Sequence, residues 1–195
     1  ALLTNSLKPY ACCRHTHAAD YCAQLLRGEH RLEPEHITRI VDHTYQVAVN
    51  TVDNPEPSTP YGYKFSGQYC TAAMLVYGHL GESAFTPEAT SDPRVRRLMD
   101  KITLVCDPEL EASYQADRNR WAHRLEVTLE DGRVLTRQVE YPYGDFNNPF
   151  TWAYEHEKFH TLADGVLGPD RVAALVERLP HLEELDDINR LFEGL

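Results

Sequence analysis

The stretch YPYGDFNNPFTW, residues 141–152, constrains the fold more than any other, because the hydrophobic period changes across it. Before it, Leu125, Val127 and Leu129 alternate with Glu126, Thr128 and Glu130, and Asp131-Gly132 then gives the commonest tight-hairpin signal ahead of RVLTRQVEY. After it, every apolar repeat has helical spacing. Trp152, Phe159 and Leu162 predict one apolar face, Val172, Leu175, Val176 and Leu179 a second, and Leu185, Ile188 and Phe192 a third. The prolines, glycine and paired asparagines between the two regimes break regular structure. The pattern predicts an α+β domain over residues 1–145, mixed strands with helices on them, followed by an all-helical C-terminal tail over residues 146–195. Three short amphipathic helices cannot easily bury such stripes against one another, so the tail is expected to pack on something larger.

Within the first region, Ala18, Tyr21, Cys22, Leu25 and Leu26 recur at helical spacing, and Gly28 is the expected stop. From Ile37 the pattern turns extended: Val41, Tyr45, Val47 and Val49 alternate with Asp42, Gln46 and Asn50, which predicts a strand. NPEPSTPYG then interrupts regular structure before KFSGQYCTAAMLVYG resumes a helical period, with Ser66 as the expected N-cap. DPRVRRLMD predicts a short helix opened by Pro93, and KITLVCD a strand.

Charge narrows the function classes. Nineteen Lys and Arg against 30 Asp and Glu give a net charge of -11, which repels nucleic acid and anionic membranes. No apolar run approaches the roughly 20 residues needed to span a bilayer, and ALLTNSLK lacks the regions of a secretory signal. Five cysteines form no regular disulfide framework, so a soluble, cytoplasmic protein in a reducing compartment is expected. The apolar start without an initiating Met reads as a processed chain or a fragment.

The densest chemistry lies in KPYACCRHTH, residues 8–17, directly before the first helix. A helix N-terminus offers unpaired backbone N–H groups and the positive end of its dipole, and Lys8 and Arg14 add charge, so this loop is a candidate cradle for a carboxylate or phosphate. His17 and Tyr69 are candidate proton donors or acceptors. Each residue also has a plainer reading: Lys8, Arg14 and Lys64 as solvated charges, His17 as a hydrogen-bonded core residue, Tyr69 as core packing, and Cys22, Cys70 and Cys106 as small buried hydrophobes. Zinc is disfavoured for Cys12, Cys13, His15 and His17, because the thiols are adjacent and no complementary Cys or His pair is evident, whereas a Cys nucleophile stays open. No P-loop, dinucleotide fingerprint or serine nucleophile elbow is present.

Three blocks in this order resemble the MmgE/PrpD family, which includes 2-methylcitrate dehydratase, cis-aconitate decarboxylase and iminodisuccinate epimerase. KPYACCRHTHAAD resembles its K-x-[YF]-P-x-x-x-x-x-H block, KFSGQYCTAAMLVYG its A-[KR]-[FH]-S-x-x-Y-x-x-A-x-x-L-x-x-G block, and DGRVLTRQVEYPYGDFNNPFTWAYEHEKFHTLA its strand and P-x-G-D-x-x-N-P segment. The resemblance implies an α+β lid and a helical tail that belongs to a larger helical domain, an active site in the cleft between lid and helical domain, no metal or organic cofactor, and a homodimer. It implies that Lys8, His17 and Tyr69 are catalytic and that Cys13, Arg14 and Ser66 line the substrate site. Ala11 departs from the usual proline, and Cys13 stands where the decarboxylase branch carries a histidine, which disfavours decarboxylation. The expected activity is a lyase or isomerase acting on a small di- or tricarboxylate by proton transfer beside a carboxylate, with this chain inactive alone. The alternative is a lid-like binding or interaction module without turnover.

Overall fold

Short polar side chains followed by proline open much of the first region. A computed structural model describes residues 4–193 and divides into two compact units, Ala1–Pro149 and Phe150–Leu195. The first runs α1 (His17–His30), β1 (Ile37–Thr44), α2 (Gln46–Val52), α3 (Pro60–Lys64), α4 (Gly67–Tyr77), α5 (Pro87–Thr90), α6 (Pro93–Met99), β2 (Ile102–Cys106), α7 (Pro108–Ala116), β3 (His123–Leu129) and β4 (Val134–Val139). Thr59, Thr86, Asp92 and Asp107 cap α3, α5, α6 and α7, each just before a proline whose missing N–H costs nothing at a helix start. The helix at α7 was not expected, although Asp107-Pro108 is a start signal.

The strands form one mixed sheet in the order β2-β1-β3-β4, with β1 parallel to β2 and antiparallel to β3, and β3–β4 joined by the expected Asp131-Gly132 turn. Gly132 has φ +85, the left-handed conformation such a turn favours. Helix α1 packs across β3 and β4 and alongside α4, which reaches β2 and α6. Ala18, Ala19, Cys22, Ala23 and Leu26 of α1 share the core with Tyr69, Ala72, Ala73 and Met74 of α4 and Ile40, Leu125 and Val127 of the sheet. Burying this set supplies the main stabilisation, roughly 25 cal/mol for each Å² of apolar surface removed from water. The α+β architecture therefore matches the expectation.

Four local expectations are corrected. The strand from Ile37 stops at Thr44, and Val47 and Val49 belong to α2, where Tyr45, Ala48 and Val52 are buried at spacings of three and four. Helix α1 passes through Gly28 and ends at Arg31, a non-glycine residue at φ 49. Cys106, the last residue of edge strand β2, is exposed rather than buried. In the second unit, α8 (Trp152–Leu167) and α9 (Pro169–Arg178) are helices, but of the third apolar stripe Ile188 and Phe192 fall on a short 3-10 segment, Ile188–Phe192, and Leu185 follows another, Leu179–Glu184, in extended conformation.

In that unit α9 packs against α8, burying Val172 and Leu175, while Arg178 ties the last turns by donating Nη1–H to the carbonyls of Leu191 and Glu193. Much of its apolar surface stays in water: Trp152 is 68% exposed, Val166 83% and Phe192 60%. Among the described residues no helix is long and apolar enough to cross a membrane.

Candidate active site

The loop before α1 is held by backbone bonds to three distant segments. Leu7 N–H donates to Gly144 O at 2.8 Å, Ala11 N–H to Leu80 O at 2.8 Å and Cys13 N–H to Lys64 O at 2.8 Å. A one-turn 3-10 segment, Arg14–Thr16, then delivers the chain into α1, placing His17 at its first position. The exposed Lys8 folds back to donate its ammonium N–H to Cys12 O at 3.0 Å. Buried His17 brings Nε2 to the same oxygen at 3.3 Å, and since a carbonyl only accepts, Nε2 carries the hydrogen. The ring of Tyr10 meets that of His17 edge-on at 5.2 Å. A cation and an imidazole from the first motif thus converge on one atom.

The neighbouring side chains are placed differently. Arg14 pairs through Nη2 with buried Asp145 and lies 4.6 Å over the Trp121 ring. His15 stacks on Trp121 at 4.4 Å and meets Tyr45 Oη at 2.7 Å; burial, aided by the charges of His123 and Arg14, lowers its pKa to about 4, so it is neutral at pH 7. Burial also pushes the Cys13 thiol above its ordinary value, against the pull of the His15 amide and the Lys8 charge, so the thiol form is favoured over a nucleophilic thiolate. Lys64 is engaged by Glu82 at 2.9 Å.

Ser66 and Tyr69 serve α4 itself. Ser66 Oγ accepts from Tyr69 N–H at 3.0 Å, the expected cap, and donates to Asn54 O at 2.6 Å. Tyr69 is fully buried against Tyr63 and Phe85, its hydroxyl donating to Ala84 O, and burial raises its pKa.

Residues 10–181 match the MmgE/PrpD C-terminal domain. The chain belongs to the MmgE/PrpD family. It is 32% identical to 2-methylcitrate dehydratase, mitochondrial, of Yarrowia lipolytica over 67% of this chain and 26% of that protein. Against 2-methylcitrate dehydratase of Cupriavidus necator it is 35% identical over 55% of the chain and 23% of the relative. Cis-aconitate decarboxylase of Aspergillus terreus is 28% identical over 98% of the chain and 40% of the relative. The chain therefore spans about a quarter to two fifths of the length of these relatives.

Within this MmgE/PrpD lid, three buried polar groups escaped the sequence reading. Asp42 and His123 pair at 2.7 Å on the core side of the sheet, both 1% exposed. Asp145 grips Arg14. Beneath the Lys8 loop, Cys12 Sγ, Cys70 Sγ and an Asp20 oxygen lie within 4.8 Å of one another, the one metal-like donor group among the described residues. No Cys or His pair complements the adjacent thiols in this group, but Cys12 has Asp20 and Cys70 beside it, which spacing did not reveal, while His15 and His17 point to other partners. Within the trio Asp20 Oδ2 accepts from Thr16 Oγ1 at 2.7 Å and from Cys12 Sγ at 3.6 Å, and burial raises both the Asp20 carboxyl and the Cys70 thiol well above their usual values. Against burial, which would raise it, hydrogen bonds from Cys70 and His17 hold the Cys12 thiol well below its usual value, and among the described residues Asp20 Oδ1 is buried without a hydrogen-bond partner.

Proposed function

We propose that this chain is the lid and tail of a cofactor-independent lyase or isomerase that moves a proton beside a carboxylate of a small di- or tricarboxylate, as a 2-methylcitrate dehydratase or an iminodisuccinate epimerase would. The observation that carries this reading is the convergence of Lys8 and His17 on Cys12 O, in a loop that opens a helix N-terminus. Lys8 neutralises a substrate carboxylate, which acidifies the adjacent C–H and stabilises negative charge as the proton leaves. Arg14 gives one amino group to Asp145 and keeps further N–H donors for a second carboxylate. His17 holds the loop and supplies a titratable group beside the ammonium. Ser66 and Tyr69 shape α4 beneath them, and Cys13 lines the loop in its neutral form.

One wall does not make a site, because electrostatic catalysis needs groups on both sides of the reacting carbon and exclusion of water. The opposite wall belongs to a helical domain of the same protein, and the exposed Trp152, Val166 and Phe192 of the tail dock on it. The test is turnover of 2-methylcitrate, citrate, cis-aconitate and iminodisuccinate by the intact protein. Lys8→Ala should reduce kcat/KM by about a hundredfold, the scale of one lost charge-stabilising donor. Unchanged kcat/KM in that variant would return Lys8 to an ordinary surface charge.

A further inference from the structure

The third sequence block has no assigned role in the reading above, yet its aspartate is 2% exposed and faces the loop that carries Lys8. Asp145 Oδ2 accepts from Ser6 Oγ at 2.8 Å and from Arg14 Nη2, and its neighbour Gly144 accepts the Leu7 N–H at 2.8 Å. Lys8 therefore sits between two anchors on one short turn: Ser6 and Leu7 before it, Arg14 after it.

The turn is braced independently of the loop. Asp145 Oδ1 accepts from Asn147 N–H at 3.0 Å, Asn148 N–H donates to Asp145 O at 2.8 Å, and Gly144 N–H returns to Asn148 O at 2.8 Å. Gly144 holds φ +87, where a side chain would strain the backbone. Asn148 Nδ2–H adds a bond to Tyr141 O at 3.0 Å, tying the turn to the chain leaving β4. On the loop side the Arg14 guanidinium pairs with Asp145 and lies over the Trp121 ring, two contacts that restrain it together.

We propose that Asp145 is the positioning residue of the site: it acts through Ser6 and Arg14 to hold the Lys8 loop, and touches no substrate. This rests on the functional reading only for its kinetic consequence. A buried carboxylate bound by a guanidinium and a hydroxyl is a stiff tether, and removing its charge weakens the hold on both Ser6 and Arg14, the side chains that flank Lys8. Displacement of a catalytic ammonium by about 1 Å suffices to cost on the order of a hundredfold in rate, whereas ground-state binding is less sensitive to it.

The experiment pairs hydrogen exchange with kinetics on the intact protein. In Asp145→Asn, amide exchange over residues 5–14 should rise about tenfold or more while exchange in β1 and β3 stays unchanged. On whichever polycarboxylate the wild type turns over, kcat should fall at least about tenfold with KM altered less than about threefold. Asp145→Glu, which restores the charge, should recover part of both. Arg14→Gln leaves the Asn147 contact intact and should loosen the same residues, which keeps the proposal testable if Asp145→Asn fails to fold. Unchanged exchange over residues 5–14 in both variants, or equal loss of protection throughout the sheet, overturns the proposal. Absence of turnover by the wild type would count against the functional reading alone, leaving the exchange arm to decide this one.

Discussion

Ser66→Ala separates a capping residue from a substrate contact. In the structure Ser66 Oγ accepts the Tyr69 N–H at 3.0 Å at the start of α4 and donates to Asn54 O at 2.6 Å. Loss of a serine N-cap costs about 1 kcal/mol, and loss of a second, largely buried hydrogen bond about another 1 kcal/mol. The sum, about 2 kcal/mol, has little chance to be refilled, because Ser66 is fully buried and water has poor access to the two orphaned groups. With a urea m-value of about 2 kcal/mol/M, the unfolding midpoint should fall by about 1 M. The assay is equilibrium urea unfolding of the 195-residue chain, followed by far-UV circular dichroism, for wild type, Ser66→Ala and Ser66→Asp. Aspartate restores the cap acceptor but not the donor to Asn54, so it should recover less than the whole loss. A midpoint within 0.2 M of wild type, an interval set by about 0.4 kcal/mol at that slope, would refute the capping argument. If Ser66→Ala then raised KM in the intact enzyme, the residue would be a substrate contact instead.

Two further outcomes follow from the buried trio. Burial raises the Asp20 pKa well above the usual 3.8, so the folded chain prefers the protonated acid while the unfolded chain ionises near the ordinary value. Stability should therefore fall as pH rises from about 4 toward the raised folded value, and Asp20→Asn should remove that slope; identical urea midpoints against pH for both proteins would show that Asp20 does not titrate as described. Because burial favours the protonated forms of Asp20 and Cys70, and a metal needs deprotonated donors, purified protein should carry no stoichiometric zinc, checked by elemental analysis. Near-equimolar zinc that disappears in both Cys12→Ser and Cys70→Ser would make the trio a metal site.

How much of this was legible in the sequence depended on the range of the interaction. The Ser66 cap, the Asp131-Gly132 hairpin and the proline-opened α6 were readable because their determinants lie within a few residues. Residues Val47 and Val49 misled because β-branched alternation suits a strand locally; burial of Tyr45, Ala48 and Val52 decided for helix. Asp42 read as an outward polar position, yet it faces the core because His123, 81 residues away, pairs with it. The same holds for the site. Lys8 and His17 share one short segment and could be singled out together, whereas Asp145 and Cys70 become partners of that segment only through the fold.

The loop's own bonding explains why so much reactive chemistry can sit in ten residues without collapsing on itself. Its backbone donors at Leu7, Ala11 and Cys13 are each satisfied by a carbonyl from a different segment, and these bonds fix its path together with the Ser6 and Arg14 tethers to Asp145. The side chains then divide by depth. Cys12 and His17 are buried and bonded within the lid, Arg14 is half-buried and braced by Asp145, and Lys8 alone of the four is exposed. On the proposed function, an ammonium placed outermost on a scaffold fixed by these bonds keeps its charge in reach of an incoming carboxylate while the imidazole behind it stays oriented. In the proposed lid that ordering keeps the groups that must not move bonded inside it and leaves the cation proposed to meet the substrate at its surface.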